Sequence, residues 1–272
     1  MNANEKAGAI VEQVRAQVPL VHCMTNYVTV NDVANALLAI GASPIMSDDR
    51  HDVEDIVSIS KALVLNIGTL NERTIDSMIL AGKKANTLNI PVIFDPVGAG
   101  ASAYRNATTE RIIREVKLTA LRGNLSEVSF VAGLEVSTKG VDSSDADADK
   151  DAVAVAKAVA KKLDCTVAIT GAVDTISDGM RVVQIHNGHP MLSKVTGTGC
   201  LTSGLTGAFV AAGEDTVYAC AAAIAATGMA GEIAFEEAGD KGTGSFHIAL
   251  IDALSKICQN TYIERGRLEE LA

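Results

Sequence analysis

Two short stretches constrain the fold more than any others: Ala62-Leu63-Val64-Leu65-Asn66-Ile67 and Pro91-Val92-Ile93-Phe94-Asp95. Both are continuously apolar over strand length, so in an extended chain both faces must be covered, which is the pattern of a central parallel strand. Helical periods lie between and around them, at Val53 to Ser60, Glu72 to Leu88 and Thr108 to Val116. The rhythm continues with strands at Leu118 to Leu121 and Thr166 to Thr170, and helices at Leu125 to Val131 and Asp151 to Leu163. Alternation of this kind means βαβ units with right-handed crossovers, hence an α/β fold with a central, mostly parallel sheet flanked by helices on both faces. Asp178-Gly179, set between Asp174 to Ser177 and Arg181 to His186, signals a hairpin and an antiparallel edge.

At the N-terminus, residues 4–17 place Ile10, Val11, Val14 and Val18 on one helical face, followed by the apolar run Leu20-Val21-His22. Thr29-Val30-Asn31-Asp32 resembles a capping box without the preferred Glu, and opens a helix that Gly41 stops. Pro44-Ile45-Met46 has the length of a short strand. Near the C-terminus, helices are expected around 201–212, 216–238 and 247–259. The one break in composition, Val141 to Asp151, carries the acidic Asp-Ser-Ser-Asp-Ala-Asp-Ala-Asp and reads as an exposed loop. It lacks the glycine and terminal Glu of an EF-hand. No internal repeat or second domain stands out, so residues 1–272 are read as one domain.

The formal net charge of −10 argues against nucleic acid or an anionic membrane as a partner, since both need clustered Lys and Arg. The five cysteines include no C-x-x-C pair and are odd in number, which points to a reducing, cytoplasmic setting. The start of the chain lacks the apolar core of a signal peptide. Val217 to Ala234, the most apolar stretch, is dominated by Ala and broken by Thr227 and Gly228, so it reads as a buried helix.

In an open parallel sheet, ligands bind beyond the carboxyl ends of the strands. Four candidate segments fall there: Asp95 with Pro96-Val97-Gly98-Ala99-Gly100, Arg122-Gly123-Asn124 with Glu127, Thr170-Gly171, and Gly197-Thr198-Gly199-Cys200. The last is a glycine turn running into an apolar helix, whose first N–H groups and dipole suit an anion. A thiol at that helix start is expected to have a lowered pKa. Carboxylates at 95 and 127, an Arg at 122 and a helix-start anion site are the groups phosphoryl transfer uses, with Mg²⁺ completed by phosphate oxygens and water. Plainer readings stand beside these. The glycine turn can simply precede a buried helix, Asp95 can end a strand, Glu127 can cap Asn124, and Arg122 can be a surface charge. There is no G-x-x-x-x-G-K-[ST], so a P-loop is excluded, and Gly98-x-Gly100 lacks a third glycine at 103, which makes it a poor match to a Rossmann fingerprint. His186 and His189 stand apart from Cys or carboxylate clusters and read as edge-strand residues. Cys165 and Cys220 read as packing residues.

Asn124-x-x-Glu127 followed by Gly197-Thr-Gly-Cys200 resembles the paired signature of the ribokinase-like small-molecule kinases. The blocks Pro19-Leu-Val-His-Cys-Met-Thr-Asn26, Gly41-Ala-Ser-Pro-Ile-Met46, Leu65-Asn-Ile-Gly-Thr-Leu70 and Asp95-Pro-Val-Gly-Ala-Gly-Ala101 are similar to the hydroxyethylthiazole kinase branch. So are Val195-Thr-Gly-Thr-Gly-Cys200 and Asp240-Lys-Gly-Thr-Gly-Ser-Phe246, and the likeness runs nearly the whole chain in order. The resemblance implies a ribokinase-like fold and ATP- and Mg²⁺-dependent phosphorylation of the primary alcohol of 4-methyl-5-(2-hydroxyethyl)thiazole in thiamine salvage. It implies that Asn26, Met46 and Gly197 contact the thiazole alcohol and that Arg122 and Thr170 contact ATP. Asp95 and Glu127 would govern Mg²⁺ and the phosphates. Cys200 stands where most ribokinase-like relatives place the catalytic Asp. The resemblance further implies a homotrimer with sites at subunit interfaces, Asn26 and Met46 meeting Gly197 and Cys200 across a boundary. The rival readings are a related kinase of a pyrimidine or pyridine alcohol, expected to carry Asp at 200, and a nucleotide-binding module without turnover.

Overall fold

The two fully apolar runs lie side by side: Leu63 to Asn66 pairs in parallel with Val92 to Asp95, and both strands are buried throughout. The structure, a computed structural model, describes residues 1–133 and 145–271, with the side chains of 145–150 excepted. Among these, the strands are Leu20–Met24 (β1), Ser43–Ile45 (β2), Ala62–Asn66 (β3), Val92–Asp95 (β4), Ala120–Asn124 (β5), Thr166–Thr170 (β6), Asp174–Ser177 (β7), Val182–Ile185 (β8) and Leu268–Leu271 (β9). They form one sheet in the order β2-β1-β3-β4-β5-β6-β7-β8-β9. Pairings from β2 to β6 are parallel and those from β6 to β9 antiparallel.

The helices are Ala3–Gln17 (α1), Val30–Ile40 (α2), Val53–Ile59 (α3), Glu72–Thr87 (α4), Ala103–Glu115 (α5), Leu125–Ala132 (α6), Asp145–Leu163 (α7), Thr198–Ala212 (α8), Thr216–Ala238 (α9), Thr243–Lys256 (α10) and Gln259–Arg265 (α11). Successive strand side chains point to opposite faces, and the core divides accordingly. Ala62, Val64 and Ile93 join α1, α2, α8, α9 and α10 on one side of the sheet. Leu63, Leu65 and Phe94 join α3 to α7 on the other. Helix α8 lies tightly on the first face because residue 207 is glycine; a Cβ there would come within 2.6 Å of Val64 Cγ2. The most apolar window of the stretch from Thr216 is 89% buried within the protein, so α9 is a core helix, as its composition suggested.

Several expectations shift. Val18 leaves the buried face of α1: it caps the helix at φ 45° and is exposed. Thr29 precedes α2 but makes no side-chain cap, because its Oγ1 donates to Asn26 Oδ1 at 3.1 Å instead. Strand β5 starts and ends later than Leu118 to Leu121, so Arg122 is a strand residue and not a loop charge. Helix α5 begins earlier, where Ser102 accepts from Arg105 N. Helix α7 starts at Asp145, so the second half of the acidic stretch is helical, while its residues 141–144 lie outside the described residues. The helix expected over 247–259 begins at Thr243 and ends at Lys256; α11 and β9 follow it. Because β9 pairs with β8, the hairpin is not the edge of the sheet. His186 lies just beyond β8, and His189 caps a 3-10 turn, Pro190–Lys194, with its ring stacked on Phe235 at 3.7 Å.

Candidate active site

Strand alternation selects the site. With Ala62 and Val64, Ile93, Ala120 and Ala168 on the sheet face covered by α8 and α9, the next positions on that face are Asn66, Asp95, Arg122 and Thr170. All four lie toward the carboxyl ends of their strands, and Asn66 and Asp95 are register partners on the last rung between β3 and β4. The first turn of α8 meets them. Gly197 precedes it at φ 86°, a left-handed conformation that glycine adopts without cost, and a Cβ there would also run into Thr29 at 2.4 Å.

Asp95 is the hub. Its Oδ2 accepts from Ser203 Oγ at 2.6 Å and from Asn66 Nδ2 at 2.8 Å, and lies 3.7 Å from Arg122 Nη1. Burial pushes its pKa up to about 6 against the opposing pull of Arg122 and Ser203, and the nearby Glu127 charge adds to the push. Arg122 Nη2 donates to Thr170 Oγ1 at 2.9 Å, while its buried Nε has no partner. That leaves a cationic donor available to an anion beside the α8 N-terminus. Gly199 makes room for the guanidinium, since a Cβ at 199 would sit 3.0 Å from Arg122 Nη1.

Cys200 Sγ accepts from Asn26 Nδ2 at 3.1 Å and Asn66 Nδ2 at 3.3 Å. Its thiol is pushed above the ordinary value, by burial first and by the Asp95 charge second. The lowered pKa expected from a helix start is therefore overturned: desolvation and a neighbouring carboxylate outweigh the helix dipole. The Asn26–Cys200 contact also lies within one chain, and Gly197 packs on Thr29 of the same chain. The expectation that Asn26 meets Cys200 across a subunit boundary is corrected by that contact.

Two clefts flank this hub. The larger, about 770 Å³, is lined by Arg122, Thr170, Asp174, His189, Thr198 and Gly199 among others. The smaller, about 510 Å³, is lined by Met24, Met46, Met78, Asn66, Tyr27 and Arg73 among others. Asp95 links them, touching Asn66 of one and Arg122 of the other. Glu127 stands behind. Its Oε2 accepts from Asn124 N at 2.8 Å in a full capping box, and its Oε1 accepts from Gly98 N at 2.8 Å. The plain capping reading of Glu127 thus holds, and its charge still reaches Asp95.

Sequence reasoning missed Asn66, Ser203 and Asp174. Asn66 ends a buried strand as Asp95 does, a signal that was available. Ser203 lies one helical turn past Gly199, whose carbonyl oxygen its hydroxyl also reaches at 3.3 Å. Asp174 is buried at the start of β7, where its Oδ1 accepts from Gly171 N at 3.0 Å and burial pushes its pKa up to about 7.

Residues 11–260 match the hydroxyethylthiazole kinase family. The chain belongs to that family. It is 59% identical to the hydroxyethylthiazole kinase of Clostridium beijerinckii over 98% of both chains. It superposes with a TM-score of 0.90 on the structure of the Pyrococcus horikoshii hydroxyethylthiazole kinase protein, at 38% identity, covering 98% of this chain and 99% of that one. A ribokinase-like superfamily protein of Enterococcus faecalis, 13% identical, shares the fold with a TM-score of 0.64 over 93% of this chain and 95% of its own. The chain is thus a kinase of ribokinase-like fold, with ATP as the co-substrate its family implies.

Proposed function

We propose that this kinase transfers the γ-phosphoryl group of ATP to the primary hydroxyl of 4-methyl-5-(2-hydroxyethyl)thiazole. The observation that carries the reading is the pair of clefts joined at Asp95, Cys200 and the first turn of α8. The larger suits a nucleotide, its phosphates directed at Arg122, Thr170 and the α8 N–H groups. The smaller suits a compact apolar ring: Met24, Met46 and Met78 offer polarizable sulfur contacts. In transfer, the substrate oxygen forms a bond to Pγ as the bond from Pγ to the bridging oxygen breaks, ADP leaves with that oxygen, and the hydroxyl proton passes to a phosphoryl oxygen or to water. Arg122 and the N–H groups of Thr198, Gly199 and Cys200 face the charge that spreads over the phosphoryl oxygens. A protonated Cys200, fixed by Asn26 and Asn66, supports a role in orienting the hydroxyl more than one in removing its proton. Gly197 would supply backbone at the same junction.

Mg²⁺ fits the donor set. Asp95 and Glu127 would hold it, since each feels the other's charge. Two carboxylates plus water and phosphate oxygens are what Mg²⁺ takes. Bound there, it would neutralise phosphate charge. We read residues 1–272 as one domain, on the strength of the single sheet with a core on each side. A homotrimer is supported by Tyr27, which lines the methionine-lined cleft yet is 78% exposed, and by the adjoining Val28, 56% exposed, which a second subunit would cover. A cytoplasmic setting agrees with five free cysteines. ADP release measured over a panel of thiazole, pyrimidine and pyridine alcohols tests the whole reading. The thiazole alcohol should give the highest kcat/KM; a pyridine or pyrimidine alcohol in first place, or no turnover at all, overturns it.

A further inference from the structure

The part of the larger cleft's wall formed by Asn187, Gly188 and His189 lies beyond the end of β8. Residues Asn187 to His189 leave β8 and turn into the 3-10 turn, and their backbone rests on α9 and on the approach to β9. Glu232 of α9 gathers the contacts. Its Oε1 accepts from Gly188 N at 2.7 Å and from Arg267 Nη2 at 2.6 Å, and both its oxygens lie within reach of Asn187 Nδ2, at 3.3 and 3.4 Å. Asn187 is buried, with its amide fully used: it also donates to Arg265 O at 2.9 Å and accepts from Arg267 N at 2.7 Å. Arg267 returns to the same loop, donating to His186 O at 2.6 Å. Gly228, one turn before Glu232, lets the loop settle against α9, since a Cβ there would meet Asn187 O at 2.7 Å. Beyond the clamp, His189 faces the cleft with its ring stacked on Phe235.

We infer that Glu232 is a positioning residue for the nucleotide: by clamping Asn187, Gly188 and Arg267 it sets the cleft wall, so the C-terminal segment before β9 tunes nucleotide affinity without touching the acceptor alcohol. This rests on the reading of the larger cleft as the ATP site. The carboxylate is mostly shielded, with 15% of its side chain exposed, so its charge-assisted bonds are not simply replaced by water.

The test is steady-state kinetics of Glu232→Gln and Arg267→Gln, with ATP and thiazole alcohol varied in turn, beside direct ATP binding and thermal melting. Gln keeps the shape and weakens the clamp, so ATP KM and Kd should rise about three- to tenfold, the scale of a hydrogen bond weakened from charge-assisted to neutral. kcat and the thiazole KM should change less than twofold. A merely structural role would lower the melting temperature and raise both KM values together, and that outcome overturns the inference, as does an unchanged ATP KM. Arg122→Ala, run alongside, separates the two claims. If it weakens ATP binding and Glu232→Gln does not, the inference alone fails; if neither weakens it, the assignment of the cleft fails.

Discussion

The two clefts use opposite means to hold a ligand. The larger is built of strand ends, a helix start and small residues, and Arg122, the one Lys or Arg lining it among the described residues, is pinned by Thr170 and Asp95. Its recognition elements are mostly backbone, so glycine is required where the chain must approach closely, as at Gly199. The smaller depends on side-chain shape: methionines from β1, the β2 loop and α4 form its apolar surface, and Arg73 closes one side by pairing with Asp48 at 2.8 Å. The contrast teaches that an anion site is written in backbone geometry and a ring site in packing. Substitutions should therefore separate the two.

The largest separation is expected from Arg122→Ala. If Arg122 faces the phosphates as proposed, its loss should lower kcat/KM for ATP by about 10²–10³-fold, in the range found for a single preorganised donor. It also leaves Asp95 buried without its cation, so stability should fall by about 3 kcal/mol. Kinetics and denaturant melts check both. An enzyme within tenfold of the original would remove Arg122 from the phosphate site and blur the distinction between the clefts.

Met78→Ala probes the other side. Met78 is almost fully buried and lines the smaller cleft. Truncation should destabilise by about 2–5 kcal/mol and raise the thiazole KM several-fold, roughly as for lost methylene contacts in a hydrophobic pocket, with ATP KM unchanged. A rise in ATP KM of equal size would show that the clefts are mechanically one.

How much of this was readable follows the same division. The parallel strands, their order of alternation with helices and the glycine turn at 197–200 were legible because continuous apolar runs of strand length and backbone demands leave local marks. Asp95, Arg122 and Thr170 could be placed at the sheet edge, since each ends or nearly ends a buried run. Met24 and Met78 could not be told from core residues, because nothing local distinguishes a methionine facing a cavity from one facing a neighbour. Only resemblance pointed to Met46. The Cys200 pKa was misjudged for a related reason: the helix start is local, whereas the burial and Asp95 that raise it are brought by folding. The segment before β9 that braces the nucleotide wall was invisible, since its partners are distant in sequence.

A smaller effect is expected from Asp174, the buried carboxyl of the larger cleft. Its folded pKa, about 7, lies above the ordinary 3.8, so the native chain binds this proton more tightly than the unfolded chain. Its contribution is intact below about pH 4, is lost as pH rises to about 7, and is constant above that. Asp174→Asn keeps the acceptor for Gly171 N and removes the charge. The variant should gain on the original as pH rises from 4 to 7, by roughly 2–4 kcal/mol over the window. Asp95 titrates in both proteins and cancels in the difference. Parallel melting curves across that range would show that Asp174 is ionised at little cost and that the cleft is wetter than its burial suggests.

The smallest effect is expected at the junction itself. Cys200 is held by Asn26 and Asn66, yet neither depends on it: Asn66 keeps its bond to Asp95, and Asn26 keeps its 3.1 Å bond to Asn66 Oδ1. Burial and Asp95 hold the thiol protonated at neutral pH, so it is a poor base, and in a loose phosphoryl transfer a base contributes little before the barrier is crossed. Cys200→Ala should thus cost less than about tenfold in kcat, below the usual span for a positioned base. Its pH profile above 7 should match the original, because no thiolate is being counted there. Cys200→Asp is the sharper variant. It sets a second carboxylate beside Asp95 in the same buried pocket, where like charges push one pKa up, so its activity should rise toward higher pH than that of the original. An inactive Ala variant that still binds ATP, or an original enzyme whose rate climbs with thiol ionisation, would make Cys200 the base and move the decisive chemistry from the nucleotide side of the junction to the thiol.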